Sequence, residues 1–323
     1  MNTMNNELVE PFRRMLEDIS TPAAIRAAEA KSGVPPMWQD LVESGFLDAL
    51  LPEDKGGAGL TLSDVFPLVA ATGEYGLPAP FAETMLARAI IAERGGEAPA
   101  DAAIILAPAQ GTVPLAGAAT HALVKRGQEL ALLPINGGKE DPFHAGGGEI
   151  DTKAKPVLTV AMGNTELLSA AAGLVAAKMA GAMVRIMEMT TRYAEERQQF
   201  GRSLSKFQVI QHHLAVLAEQ VASSNVAARI GMSGTTFDPL RVAVAKTRTS
   251  EASHQVCAIA HAVHGAIGAT EEYDLQLFTR RLKQWQLTFG SESYWATRLG
   301  EARLAAPAGT SADFVRLNLQ EKE

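Results

Sequence analysis

The chain has 323 residues, 47% of them apolar and 20% charged, with a formal net charge of -7. This composition supports a sizeable core and excludes a chain dominated by disorder. The acidic balance argues against a nucleic-acid backbone as main partner, since that mode of binding needs clustered Lys and Arg. The opening Met-Asn-Thr-Met-Asn-Asn lacks the charged start and apolar core of a secretory signal, and no run of about eighteen apolar residues follows. A cytoplasmic protein with no membrane segment is expected.

Residues 7 to 96 have a helical pattern, punctuated at Gly33-Val34-Pro35-Pro36, at Pro52 to Gly59 and at Gly76-Leu77-Pro78-Ala79-Pro80. Thr61, Ser63 and Asp64 offer N-cap oxygens to the next apolar run. From 100 to 162 the pattern changes to short apolar runs at 103–107, 122–124, 130–133 and 157–161, separated by Gly, Pro and Asp. This predicts a small β-domain of about four to six short strands, with 136–148 as a glycine-rich loop. After Asn164-Thr165, a cap candidate, four long helical patterns follow. The stripe Phe207, Ile210, Leu214, Leu217, Val221 and the stripe Val242, Ala245, Thr249, Ala252, Val256, Ile259, Val263 advance in steps of three and four, as helices packed in a bundle require. The expected organisation is therefore a helical domain (1–99), a shortened β-domain (100–162) and a C-terminal helical bundle (163–323).

Cys257 cannot form an internal disulfide and reads as a small buried hydrophobe. His212 and His213 are adjacent, so on a helix they diverge, and His261 and His264 have no carboxylate on their face; no metal site is expected. No phosphate-binding Walker loop, nucleophile elbow or Rossmann glycine fingerprint is present.

The most distinctive stretch is Arg192 to Gly201 followed by Lys206-Phe207-Gln208, where a helical pattern breaks at a corner carrying Arg197, Phe200 and Gly201. A planar guanidinium suits phosphate oxygens, and glycine lets backbone approach a ligand. The corner reads either as a site for a planar, anionic cofactor or as an ordinary interhelical turn. Val263 to Asp274 places Gly265 and Gly268 three apart at a helix end. It reads either as a helix stop or as backbone open to a dinucleotide. The loop Leu287 to Ser293 adds hydroxyls and free amides.

Together these pieces resemble the acyl-CoA dehydrogenase family of flavoproteins. Arg192 to Gly201 with Phe207-Gln208 is similar to its Tyr-Ala-x-x-Arg-x-x-Phe-Gly and Phe-Gln motifs, and Val263 to Tyr273 to its glycine turn. Trp38 to Phe46 and Leu51 to Gly59 are similar to its N-terminal Trp and Pro-Glu-x-x-Gly-Gly elements, all in the family's order. The resemblance implies an N-terminal helical domain, a middle β-domain, a C-terminal four-helix bundle, and FAD held where bundles of two subunits meet. It implies that Arg197, Phe200 and Gln208 contact the flavin dinucleotide of a neighbouring subunit. His264, Gly265 and Gly268 would border its adenosine end, and Ser291 and Ser293 would lie beside the flavin of their own subunit. It further implies an acyl-CoA substrate and an electron-transfer flavoprotein as electron acceptor.

The chain departs from that pattern at the base. The residue preceding Gly-Ser in the last loop, a Glu in the usual pattern, is Phe289, and the alternative position on the first bundle helix falls on Ala171 and Ala172. Glu292 and Glu166 are the nearby carboxylates, candidates for the base or ordinary solvated and helix-capping groups. The β-domain is about half the family's length, without the Thr-Glu-Pro and Gly-Ser-Asp elements. Short members of this kind, from bacterial steroid side-chain degradation, often pair with a longer subunit as α2β2 heterotetramers in which the longer partner carries the base. Three readings follow: the short subunit of a heteromeric FAD-dependent dehydrogenase, a self-sufficient homo-oligomer using Glu292, or a non-catalytic scaffold.

Overall fold

In the computed structural model, which describes residues 3–31, 33–108, 112–135, 147–307 and 309–319, the punctuation of the sequence becomes helix ends. Helix α1 spans Thr3–Ile19 and α2 spans Pro22–Glu29, started by Thr21 Oγ1 accepting from Ala24 N at 3.2 Å. Helices α3 (Trp38–Glu43), α4 (Leu62–Glu74) and α5 (Phe81–Glu93) follow. Thr61 and Asp64 form a reciprocal capping box at the start of α4, with bonds of 3.3 and 3.0 Å. Ser63 lies inside that helix and does not cap it.

Strands β1 (Ile104–Ala107), β3 (His121–Arg126), β4 (Glu129–Pro134) and β6 (Leu158–Ala161) form one sheet in the order β1-β3-β4-β6, while β2 (Thr112–Val113) pairs with β5 (Gly148–Glu149). Among the described strands, β1 and β3 run parallel and the other pairs antiparallel. The period of two sorts each strand: Ile104, Leu106, Leu123, Leu130 and Leu132 join the helical core, while Ile105, Ala107, Ala122, Val124, Ala131 and Leu133 join a second cluster on the other face. The glycine-rich loop expected over 136–148 lies outside the described residues, except Gly147 and Gly148.

Helix α6 (Leu167–Glu196) runs past both layers. Contrary to the sequence expectation, part of it is apolar enough to cross a membrane, but 89% of that stretch is buried inside the protein. Its apolarity is that of a core helix. A Cβ on Gly181 would stand 1.8 Å from the Ala70 carbonyl oxygen, and one on Gly73 would stand 1.9 Å from that of Lys178. Backbone thus meets backbone where α4 crosses α6. Beside that crossing, buried Lys178 pairs with buried Glu83 of α5.

Helices α7 (Gln208–Gly231), α8 (Pro239–His264) and α9 (Leu275–Leu287) complete the four-helix bundle with α6. Two helices beyond the expected four, α10 (Glu292–Ala305) and α11 (Ser311–Leu319), follow. Their sequence carries no clear stripe because they bury little: Trp295 is the buried residue of α10, and α11 has none. The α8 stripe is buried throughout, whereas on α7 only Leu217 and Val221 are, and Phe207, Ile210 and Leu214 stay partly exposed. Cys257 is buried, and burial pushes its thiol up to about 11.

The cap expected at Asn164-Thr165 is not one. Helix α6 begins after Glu166, which gives it no side-chain cap, and Thr165 Oγ1 instead accepts from Arg94 Nη2 at 2.5 Å. The guanidinium behind Thr165 claims the hydroxyl.

Candidate functional site

Beyond Glu196 the chain turns through a two-residue ribbon, β7 (Gln198–Gln199) against β8 (Arg202–Ser203). Phe200 and Gly201 make the turn, both with positive φ, 52° and 79°. A left-handed backbone is costly for a large residue and persists where surroundings impose it. Here it holds the Phe200 ring 91% exposed, edge-on to Phe207 at 6.2 Å. Arg202 lies over the Phe207 ring at 4.0 Å. Arg197 is exposed, and its guanidinium makes no hydrogen bond or ion pair with the described residues. Gln208, also exposed, opens α7, whose first N–H groups have no side-chain cap. Arg197, Phe200 and Gln208 are thus all exposed around one turn.

Helix α8 ends at His264, and the chain leaves it through Gly265 at φ 64°. The imidazole is 3% exposed. Its Nδ1 donates to the Ala260 carbonyl at 2.8 Å, the bond that assigns the proton to that nitrogen, and Nε2 has no partner. Burial lowers its pKa, which favours the neutral ring. His264 stacks on Tyr193 at 4.5 Å and lies 5.0 Å from Tyr273. The stack fastens the glycine turn to the Arg197 corner. A ligand outside would meet the exposed Gly265 backbone rather than the imidazole. Gly268 is buried, and a Cβ there would lie 2.8 Å from that of His264, so the position calls for glycine.

The third element is the loop between α9 and α10. Phe289 has φ 55°, and its partly buried ring packs against four separate apolar clusters: the helical core, the bundle core, the second face of the sheet, and the group of Ala172, Val242, Ala243 and Trp295. Gly290 (φ 103°) tolerates no Cβ, which would sit 2.6 Å from Tyr294 and 2.7 Å from the Trp295 nitrogen. Ser291 Oγ caps α10 by accepting from Tyr294 N at 3.4 Å, and Ser293 is exposed on its first turn. Ala171 and Ala172 are buried on α6.

Both candidate carboxylates have partners of their own. Glu292 accepts from Gln286 at 3.4 Å and lies 4.0 Å from His254. Its own backbone N–H, then the Gln286 amide, His254 and Lys246, outweigh its slight burial and hold its pKa below the ordinary value. Glu166 is engaged by Arg298 at 3.0 Å and Ser169 at 2.7 Å at the start of α6.

The corner and the loop stand at opposite ends of one helix. From Ala172, beside Phe289, to Arg197, α6 rises about 37 Å, beyond the reach of one extended dinucleotide. Within a single chain these two sets cannot hold the same molecule. A cavity of about 620 Å³ is lined by Leu86 and Ile90 of α5, Ala170 of α6, Leu60 and Phe237, with Glu166 on its wall. Sequence reading missed Lys246 and Trp295. A lysine within the apolar stripe of α8 was the available signal for the first, while nothing in the pattern of α10 marked the second.

The model of the acyl-CoA dehydrogenase C-terminal domain matches residues 159–303. The acyl-CoA dehydrogenase IpdE2 of Mycolicibacterium smegmatis is 30% identical over 298 residues, covering 85% of this chain and 90% of that protein. Among solved structures, the ChsE4-ChsE5 complex from Mycobacterium tuberculosis superposes with a TM-score of 0.83 at 18% identity, covering 95% of this chain and 99% of that one. A variant of the Tcur3481-Tcur3483 steroid ACAD does so with a TM-score of 0.81 at 25% identity, covering 94% and 99%. The chain belongs to the acyl-CoA dehydrogenase family.

Proposed function

We propose that this chain is the base-less subunit of a heteromeric, FAD-dependent acyl-CoA dehydrogenase that desaturates a bulky acyl-CoA between its α and β carbons. The observation that carries this reading is Phe289. Removing an α-proton from a thioester needs a carboxylate within hydrogen-bond reach. The ring at this position has no acceptor and, partly buried, packs against four apolar clusters.

The outward-facing corner fits an anionic dinucleotide. Arg197, unpaired among the described residues, suits a pyrophosphate, Phe200 offers a ring, and no described atom stands within 4 Å of where a Cβ on Gly265 would be. FAD, once bound, supplies the acceptor for the β-hydride. In this reading Arg197, Phe200 and Gln208 orient the dinucleotide, the Gly265 backbone borders its adenosine end, and the longer partner subunit brings the base and an electron-transfer flavoprotein takes the electrons. Two structural neighbours support assembly with a second chain and a steroid-like acyl group, since one is the two-component ChsE4-ChsE5 complex and the other a steroid ACAD.

The test is to purify the chain alone and co-expressed with a longer acyl-CoA dehydrogenase subunit from the same source, reading flavin absorbance, subunit ratio and turnover. The heteromer should carry FAD and activity. Full turnover by the lone chain would overturn the proposal.

A further inference from the structure

Lys246 lies on the apolar stripe of α8 and is fully buried. Its ammonium donates to the Trp285 carbonyl at 2.7 Å, the Gln286 carbonyl at 3.0 Å and Ser250 Oγ at 3.1 Å. The two carbonyls belong to the last turn of α9, where a helix leaves its acceptors unserved and its dipole favours a cation. Thr288 serves the Gln284 carbonyl of the same turn through its N–H and its hydroxyl, at 3.2 and 2.9 Å. The end of α9 is thus closed from the α8 side by Lys246, which alone serves the Trp285 carbonyl among the described side chains, while Ser250 Oγ also donates to the Gln286 carbonyl at 3.2 Å. Phe289, in left-handed backbone, and Gly290 come next, and Trp295 Nε1 donates to the Phe289 carbonyl at 3.0 Å. The 288–291 loop is pinned at both ends, by a cation on α8 and an indole on α10.

Burying a lysine is costly, and burial pushes its pKa down to about 7. An apolar residue would fill the stripe of α8 more cheaply. The carbonyls that Lys246 serves give the position its use.

We infer that Lys246 is the positioning residue of the 288–293 segment: by closing the end of α9 it fixes Phe289 in the junction of the four clusters and sets Ser291 and Ser293 on the edge offered to the cofactor. The last clause rests on the function proposed above; the first does not.

The test uses the full chain, alone and in the assembly it forms, with Lys246→Met, which removes every donor, and Lys246→Gln, which keeps an amide donor. The direct readout is hydrogen exchange at the Trp295 indole N–H, which reports the bond to the Phe289 carbonyl. In Lys246→Met its protection should fall about tenfold or more, with part restored in Lys246→Gln, while amides of α4 keep theirs. In the flavin-loaded assembly the visible flavin band should shift in the methionine variant at an unchanged subunit ratio. Unchanged indole protection in a folded methionine variant overturns the inference, even if its melting temperature falls. Should that variant not fold, wild-type protection in the glutamine variant with the α9 end frayed would also overturn it. An assembly without flavin in the wild type would sink the proposed function and leave the indole measurement to decide this one.

Discussion

The indole nitrogen of Trp295 donates to the carbonyl oxygen of Phe289 at 3.0 Å, tying the first turn of α10 to a residue in left-handed backbone conformation. This bond holds an apolar ring where the family pattern has a carboxylate. Replacing Phe289 by Glu should therefore not create a working base, because the carboxylate would enter four apolar clusters without a partner. The variant should lose several kcal/mol of stability, on the order of 3, and show no desaturation alone. Calorimetry and an acyl-CoA turnover assay check it, and an active, stable Phe289→Glu chain would refute the packing argument.

Arg197→Ala and Phe200→Ala should separate cofactor binding from folding. Both side chains are exposed, so the melting free energy should change by less than about 0.5 kcal/mol. FAD affinity in the assembly should fall by about tenfold to a hundredfold for Arg197→Ala, as expected for losing charge-assisted bonds to phosphate. Flavin titration together with thermal melting distinguishes the two effects. Undiminished affinity would place the dinucleotide elsewhere.

Where α4 crosses α6, Gly73→Ala and Gly181→Ala each drive a methyl group into a carbonyl oxygen of the facing helix. Backbone cannot yield as a flexible side chain does, so each should cost about 3 kcal/mol or prevent soluble expression. Normal melting of either variant would contradict the crossing geometry.

Lys178 and Glu83 form a buried ion pair between α6 and α5. Lys178→Met alone should destabilise by about 3–5 kcal/mol by stranding the carboxylate, and adding Glu83→Leu should recover much of that loss. A double-mutant cycle by denaturant unfolding measures the coupling; additive losses would mean the pair is not formed.

Lys246 also predicts a pH slope. Its folded pKa, about 7, lies below its ordinary 10.5, so between those values the unfolded chain binds more protons and stability rises with pH. The destabilisation is fully present below pH 7 and relieved toward pH 10.5. The slope contributed can approach about 1.4 kcal/mol per pH unit, and Lys246→Met should remove it from urea unfolding series measured across that window. An identical slope in the variant would show that other groups produce it.

Much of this architecture was legible along the chain because it depends on local periodicity and turn chemistry. The alternation that sorts Leu130 and Leu132 from Ala131 and Leu133, the Thr61–Asp64 cap and the stripe of α8 are all set within a few residues of sequence. What escaped reading depended on neighbours far along the chain: Thr165 is claimed by Arg94, α10 is held chiefly through Trp295, and α6 is apolar because it is enclosed on nearly all sides.

The same division runs through the candidate site. Sequence alone determined which groups are available: a cation and ring at Arg197 and Phe200, glycines at 265 and 268, and no carboxylate at 289, 171 or 172. Tertiary structure decided what each group faces. It turned Phe200 outward, drew His264 into a tyrosine stack, set the Phe289 ring among four clusters, and separated corner from loop by the length of α6. Side-chain chemistry belongs to a residue, whereas exposure, burial and distance belong to the packing of elements that meet only in the folded chain.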